Sequence, residues 1–85
     1  MSEKELIERE KLIMDLQDKF IDEFIALRKN KNISQQKLAE EMGTIREKIA
    51  RIESKMHSPT IESLINILAP IGYTVKIVPI DEIKN

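Results

Sequence analysis

The residues best suited to chemistry in this sequence form a charged cluster near the middle of the chain: Arg46, Glu47, Lys48 and Arg51. An arginine guanidinium presents a fork of N–H donors and a lysine ammonium supplies a compact positive charge, so this cluster could bind acceptor groups on a partner. Catalysis is not expected, because one histidine, no cysteine and scattered carboxylates cannot together provide a nucleophile, a base and an orienting group. The same shortage of ligands predicts no metal site and no cofactor.

Two short amphipathic helices separated by a glycine turn are predicted to position this cluster, over ISQQKLAEEMGTIREKIARIE at positions 33–53. Ser34 is expected to cap the first helix, and Gly43 stands where the chain needs a left-handed conformation that costs glycine little. Apolar residues at helical spacing form the buried stripes and turn the charged cluster outward. The stripe residues are Leu38, Ala39 and Met42 in the first helix and Ile45, Ile49 and Ile52 in the second.

This segment resembles the helix-turn-helix of the Cro and phage-repressor (XRE) class of DNA-binding domains. That class has Leu-Ser-Gln-x-x-Leu-Ala-x-x-x-Gly across the first helix and turn, and Ile-x-x-Ile-Glu in the recognition helix. The matching positions are Ser34, Gln35, Leu38, Ala39, Gly43, Ile49, Ile52 and Glu53, and the resemblance extends from Leu27 to Gly72. It implies a mainly α, lambda-repressor-like bundle of about five helices, here with a long N-terminal helix.

The resemblance also implies which residues touch bases or phosphates of DNA: Gln35, Thr44, Arg46, Glu47, Lys48 and Arg51. Arginine suits guanine, glutamine suits adenine, and lysine supplies charge to phosphates. Thr44 would replace the hydroxyl residue that the class usually has at the position of Ile45. Glu47 would repel phosphates unless it accepts from a cytosine amino group. Alternatively, Glu47 and Arg51 form only a solvated i,i+4 ion pair.

A structural ion pair between Arg28 and Glu53 is a further implication of the resemblance. In repressors of this class the corresponding residues form a partly buried pair that ties the first helix to the recognition helix. Removal of one partner would leave the other charge poorly solvated.

Length and charge narrow the class of protein. A chain of 85 residues without cysteine has room for one domain of marginal stability, so oligomerisation is expected. The net charge of −1 is unevenly distributed: residues 1–26 carry eight acids and four bases, whereas residues 27–58 carry eight bases and four acids. No apolar run is long enough to span a bilayer, and the first residues, MSEKELIERE, are charged. The protein is therefore expected in the cytoplasm, without a membrane partner.

The sequence divides into three parts. Residues 1–20 are predicted to be a helical extension, residues 21–72 the DNA-binding domain, and residues 73–85 a strand and tail. Ser2 and Glu5 fit a capping box, and no glycine or proline interrupts the helical pattern that follows as far as Arg28. The pattern predicts one long helix, or two that break near residues 15–18. Ser58 and Pro59 are predicted to start a last helix.

Residues 73–80, with the sequence YTVKIVPI, are predicted to form a β-strand because they are rich in β-branched residues. A single strand cannot satisfy its own backbone N–H and C=O groups, so it needs a partner strand. We expect it to pair with its mate across a two-fold homodimer, with Tyr73, Val75 and Ile77 in the interface.

A helix before the motif and a strand after it resemble the layout of HigA- and HipB-type antitoxins. Those antitoxins repress their own operon and neutralise a toxin encoded beside them. The resemblance implies a repressor that binds a palindromic operator and a basic ribonuclease toxin of the HigB type. Residues 1–20, which carry more acids than bases, would bind the toxin. The apolar contacts would come from Leu6, Ile7, Ile13 and Met14.

Two other functions and one other role for the extension stay open. The chain could be a stand-alone Cro-type regulator without a toxin, or a protein-interaction module on the same fold. The apolar residues of the extension could equally lengthen the core or the dimer interface.

Overall fold

The computed structural model describes residues 1–83, and this part of the chain contains four α-helices and no β-strand. The helices are α1 (Glu3–Asn30), α2 (Gln35–Met42), α3 (Arg46–Glu53) and α4 (Ile61–Leu68), followed by short 3-10 turns at Ala69–Ile71 and Ile80–Glu82. The mainly helical fold is as predicted, whereas the count of about five helices was too high. One unbroken helix covers Glu3–Asn30, because no glycine or proline interrupts it.

The long helix α1 divides into a buried half and an exposed half. Ser2 caps its start, where the hydroxyl accepts from the Glu5 N–H at 3.2 Å, and the helix ends before Asn32, which is left-handed at φ 59°. Its buried residues, Ile21, Phe24 and Arg28, all lie in the second half. The first half extends away from the domain, which makes the molecule 46 Å long but only 24 × 19 Å across.

The core lies where α2, α3 and α4 pack around the second half of α1. Its buried members are Phe24, Leu38, Ala39, Ile49, Ile67 and Leu68. Leu38, Ala39 and Ile49 come from the apolar stripes predicted for the helix-turn-helix. Ile45, predicted in the same stripe as Ile49, is instead 64% exposed, because it precedes α3 with an extended backbone.

The start of α4 differs from the prediction. Thr60, not Ser58, is the N-cap, and its hydroxyl accepts from the Ser63 N–H at 3.1 Å. Both hydroxyl residues suit a cap, but Thr60 directly precedes the apolar face that packs on the core. Helix α4 ends at Leu68, the 3-10 turn that follows it contains Pro70, and Gly72 caps that turn with φ 90°.

Residues 73–79 are neither helix nor strand in the single chain. Val75 is half-buried against the core, whereas Ile77 is 98% exposed. The predicted strand is absent because a strand needs a neighbouring ladder, and residues 1–83 offer none to this segment.

Candidate nucleic-acid interface

The turn between α2 and α3 fixes the direction of α3. The Ser34 hydroxyl accepts from the Lys37 N–H at 3.0 Å at the start of α2, and Gly43 is left-handed at φ 70° at its end. The Thr44 N–H then donates to the Ala39 carbonyl at 2.9 Å. Because Ile49 is fully buried, the opposite face of α3 points outward with its charged residues.

Arg28 and Glu53 lie in direct contact between α1 and the end of α3. Arg28 Nε donates to Glu53 Oε2 at 2.8 Å and Arg28 Nη2 donates to Oε1 at 3.0 Å, while each side chain is only 8% exposed. Arg28 Nη1 also donates to the Ile33 carbonyl at 2.8 Å. The two-pronged geometry fixes both orientation and distance, so this pair sets the position of α3 relative to α1.

A chain of hydrogen bonds leads from this ion pair to the outer face. Gln35 Nε2 donates to Glu53 Oε1 at 2.9 Å, and Arg46 Nη1 donates to Gln35 Oε1 at 3.0 Å. Gln35 thus uses both ends of its amide within the protein, and its contacts position Arg46. The Arg46 side chain is 48% exposed and has further donors that could reach a partner.

The other charged residues of α3 have neighbours that sequence patterns do not identify. Arg51 Nη2 lies 3.3 Å from His57 Nε2, and Glu47 Oε1 lies 3.7 Å from Arg46 Nη2. The alternative in which Glu47 and Arg51 pair with each other is therefore not the arrangement found within residues 1–83. Arg51 is instead oriented by the loop that follows α3.

A cleft of about 510 Å³ runs beside α3 and contains several predicted DNA-contact residues. Its lining includes Thr44, Ile45, Glu47, Lys48, Arg51 and His57. The N-cap of α3 is Ile45, whose side chain has no group that could accept a capping hydrogen bond, and no side-chain cap is found for this helix within residues 1–83. The first amides of α3 therefore have no side-chain cap.

Lys55, one of the eight bases of residues 27–58, faces α1 instead of this cleft. It has a left-handed backbone at φ 64°, and its ammonium lies 2.6 Å from Asp22 Oδ1. The hydrogen bond to Asp22 raises the pKa of Lys55 above its ordinary value. Lys55 therefore joins the loop after α3 to α1 through a surface ion pair.

The residues predicted to meet other proteins lie outside this cleft. Leu6, Ile7, Ile13 and Met14 are all exposed on the first half of α1. Tyr73 is exposed, with the Lys31 ammonium 5.9 Å from its ring centre. Across residues 1–83 we find no group of three or more potential metal ligands, and no helix there has the length and apolarity to cross a membrane.

Comparison with known proteins supports the architecture. A family model for helix-turn-helix domains matches residues 25–77, which include all of α2, α3 and α4. An uncharacterised HTH-type transcriptional regulator of Haemophilus influenzae is 42% identical over 65 residues, covering 76% of this chain and 65% of that protein. The chain thus spans just under two thirds of that relative. No solved structure matches the chain. With the family model matching more than half of its residues, the chain belongs to the helix-turn-helix family of the Cro/C1 type.

Proposed function

We propose that this chain is a sequence-specific DNA-binding transcriptional repressor without enzymatic activity, which binds a palindromic operator in the cytoplasm as a homodimer. In this proposal α3 lies in the major groove, and the two half-sites are one helical turn, about 34 Å, apart. The observation that carries it is the exposed basic face of α3, on which Arg46 is held in place by Gln35.

The hydrogen-bond chain prepares Arg46 for base recognition. A free arginine loses much rotamer freedom when it binds, and this loss opposes affinity. Gln35 occupies one Nη of Arg46 and removes part of that freedom before DNA arrives. The remaining donors match the O6 and N7 acceptors of guanine in the major groove.

The charge distribution supports the same proposal. Residues 27–58 carry eight bases and four acids, whereas the acidic excess lies within residues 1–26. On α3, Arg46, Lys48 and Arg51 outnumber Glu47. Binding through these groups releases counterions from DNA, so affinity should fall steeply with salt. A protein-interaction module on the same fold would lack such salt-dependent binding to an operator.

Arg46→Ala and Arg51→Ala test the proposal. If each side chain reads a base, its loss should weaken operator binding by about 1 to 3 kcal/mol and relax preference at one position. A contact with phosphate alone would weaken binding to every sequence equally. Fluorescence anisotropy on an operator selected from a random DNA library measures both effects.

Lys11→Ala is the matched control, because it removes one positive charge from the exposed first half of α1, outside the cleft. Its operator affinity should stay near that of the unaltered chain. Unchanged binding in both arginine variants would contradict the placement of α3 in the groove.

A second function, as an antitoxin, is favoured by the exposed apolar residues of α1. Leu6, Ile7, Ile13 and Met14 lie on a half of the helix that contributes no buried residue to the core. Acids outnumber bases there, so a basic partner would be attracted electrostatically while the apolar residues supplied a desolvated centre. A basic ribonuclease toxin of the HigB type fits these properties.

Deletion of residues 2–16 tests the antitoxin role, given a small basic protein encoded beside this one. We expect the deletion to abolish co-purification of that protein and to leave operator affinity nearly unchanged. A substitution pair avoids a large deletion: Ile7→Glu with Met14→Glu should act alike, whereas the control Lys4→Glu with Lys11→Glu should retain the partner.

The outcomes separate the open alternatives. If the partner co-purifies after the deletion, α1 does not hold it. If the deleted chain instead becomes monomeric, the exposed residues of α1 belong to the dimer interface.

A further inference from the structure

Ile45 is an apolar residue that neither packing nor capping explains. Its side chain is 64% exposed, so it contributes little to the core. It occupies the N-cap position of α3 with an extended backbone, φ −103° and ψ 151°, and makes no capping hydrogen bond. Serine, threonine, asparagine or aspartate would stabilise the helix better at this position. An isoleucine that weakens the helix start without filling the core suggests a role in binding.

The surroundings of Ile45 are those of the proposed DNA-contact residues. It lines the cleft beside α3 together with Lys48 and Arg51. It directly precedes Arg46, which Gln35 holds in place. When α3 enters the major groove, the N-terminal residues of the helix approach the base edges most closely. Ile45 would then stand among polar base contacts as an apolar group.

Among the base edges in the major groove, only thymine presents an apolar group. Guanine, adenine and cytosine present donors and acceptors there, whereas thymine adds a C5-methyl group. Isoleucine has no side-chain donor or acceptor, so it gains nothing from the other base edges or from phosphates. We infer that Ile45 is a specificity-determining residue that contacts the C5-methyl group of a thymine in each operator half-site. This inference rests on the proposed function.

Removal of single methyl groups from the operator tests the inference. An operator is first selected with the unaltered chain, and each thymine of a half-site is then replaced by deoxyuridine, which lacks only the methyl group. We expect one position at which this replacement weakens binding about 3- to 10-fold. At that position Ile45→Ser should bind the thymine and deoxyuridine operators equally, whereas Ile45→Val should keep most of the preference.

The ratio of the two affinities is measured within each variant, so it does not depend on the stability or overall affinity of that variant. Serine is also a favourable N-cap, so Ile45→Ser should fold. The inference is overturned if no deoxyuridine replacement weakens binding, or if Ile45→Ser retains the preference for thymine. Failure of the proposed function gives a different result, because the selection would then yield no specific operator at all.

Discussion

Arg28→Ala is expected to lower the free energy of unfolding by about 3 to 5 kcal/mol, which is a large part of the stability of a domain this small. The reason is the charge left behind. Glu53 would keep its place, 8% exposed, with only the Gln35 amide to stabilise its carboxylate. The Ile33 carbonyl would also lose its donor. Urea unfolding followed by circular dichroism, at one protein concentration for all variants, measures the change.

Two further variants show whether the unpaired charge is the cause. Lys37→Ala breaks an exposed ion pair, in which Nζ lies 4.0 Å from Glu41 Oε1, and should cost no more than about 1 kcal/mol. Arg28→Met combined with Glu53→Leu removes both buried charges and should be less destabilised than Arg28→Ala alone. If Arg28→Ala costs no more than Lys37→Ala, the ion pair does not hold α1 against α3.

Loss of the ion pair should also weaken DNA binding, because the pair supports Arg46 on the proposed DNA-binding face. Glu53 accepts from Gln35, and Gln35 accepts from Arg46, so a Glu53 carboxylate that has lost both Arg28 contacts holds Gln35, and through it Arg46, less firmly. Effects of residues that share one hydrogen-bond network are not additive. Operator affinity of the folded fraction should therefore fall even where Arg28 itself touches no DNA.

The sequence predicts the helix-turn-helix in detail because its determinants are local. Ser34 caps α2, Gly43 adopts a left-handed conformation, and Leu38, Ala39 and Ile49 of the apolar stripes lie in the core. Each of these features depends on a few neighbouring residues and on steric rules that hold for any chain.

Features that depend on distant side chains could not be predicted in the same way. Lys55 meets Asp22 across the fold, and Arg51 meets His57 only because of the path of the loop after α3. The start of α4 depends on a choice between two hydroxyl residues, Ser58 and Thr60, that the local pattern leaves open. Rotamers and loop path decide such contacts, and sequence spacing determines neither.

Residues 73–80 have backbone and apolar groups that a second copy of the chain could cover. Within residues 1–83, no backbone hydrogen bond involves the N–H or C=O groups of residues 74–78. Ile77 is 98% exposed there, beside the half-buried Val75 and Val78. Pairing with the same segment of a second copy about a two-fold axis would satisfy those backbone groups that face the partner strand and would cover Ile77. We therefore propose that residues 73–80 form a strand that pairs across a two-fold homodimer, with Tyr73, Val75 and Ile77 in the interface.

Truncation after Gly72 is expected to make the chain monomeric at micromolar concentration and to remove most of its operator affinity. The reason is that a palindromic operator is bound by both recognition helices at once, and a single domain retains only one half-site. Sedimentation and fluorescence anisotropy on the selected operator measure the two effects. Because the truncation also removes the packing of Val75 on the core, circular dichroism must show that the helices persist.

Lys76→Pro tests the pairing without loss of Val75. Proline removes the N–H of an exposed position and cannot donate to a ladder, whereas Lys76→Ala keeps that N–H and serves as the control. A two-stranded ribbon is weak by itself, so loss of one donor together with the local distortion should shift the equilibrium clearly towards monomer. If both the truncated chain and Lys76→Pro remain dimeric, the interface lies on the helices, and the exposed apolar residues of α1 become its first candidates.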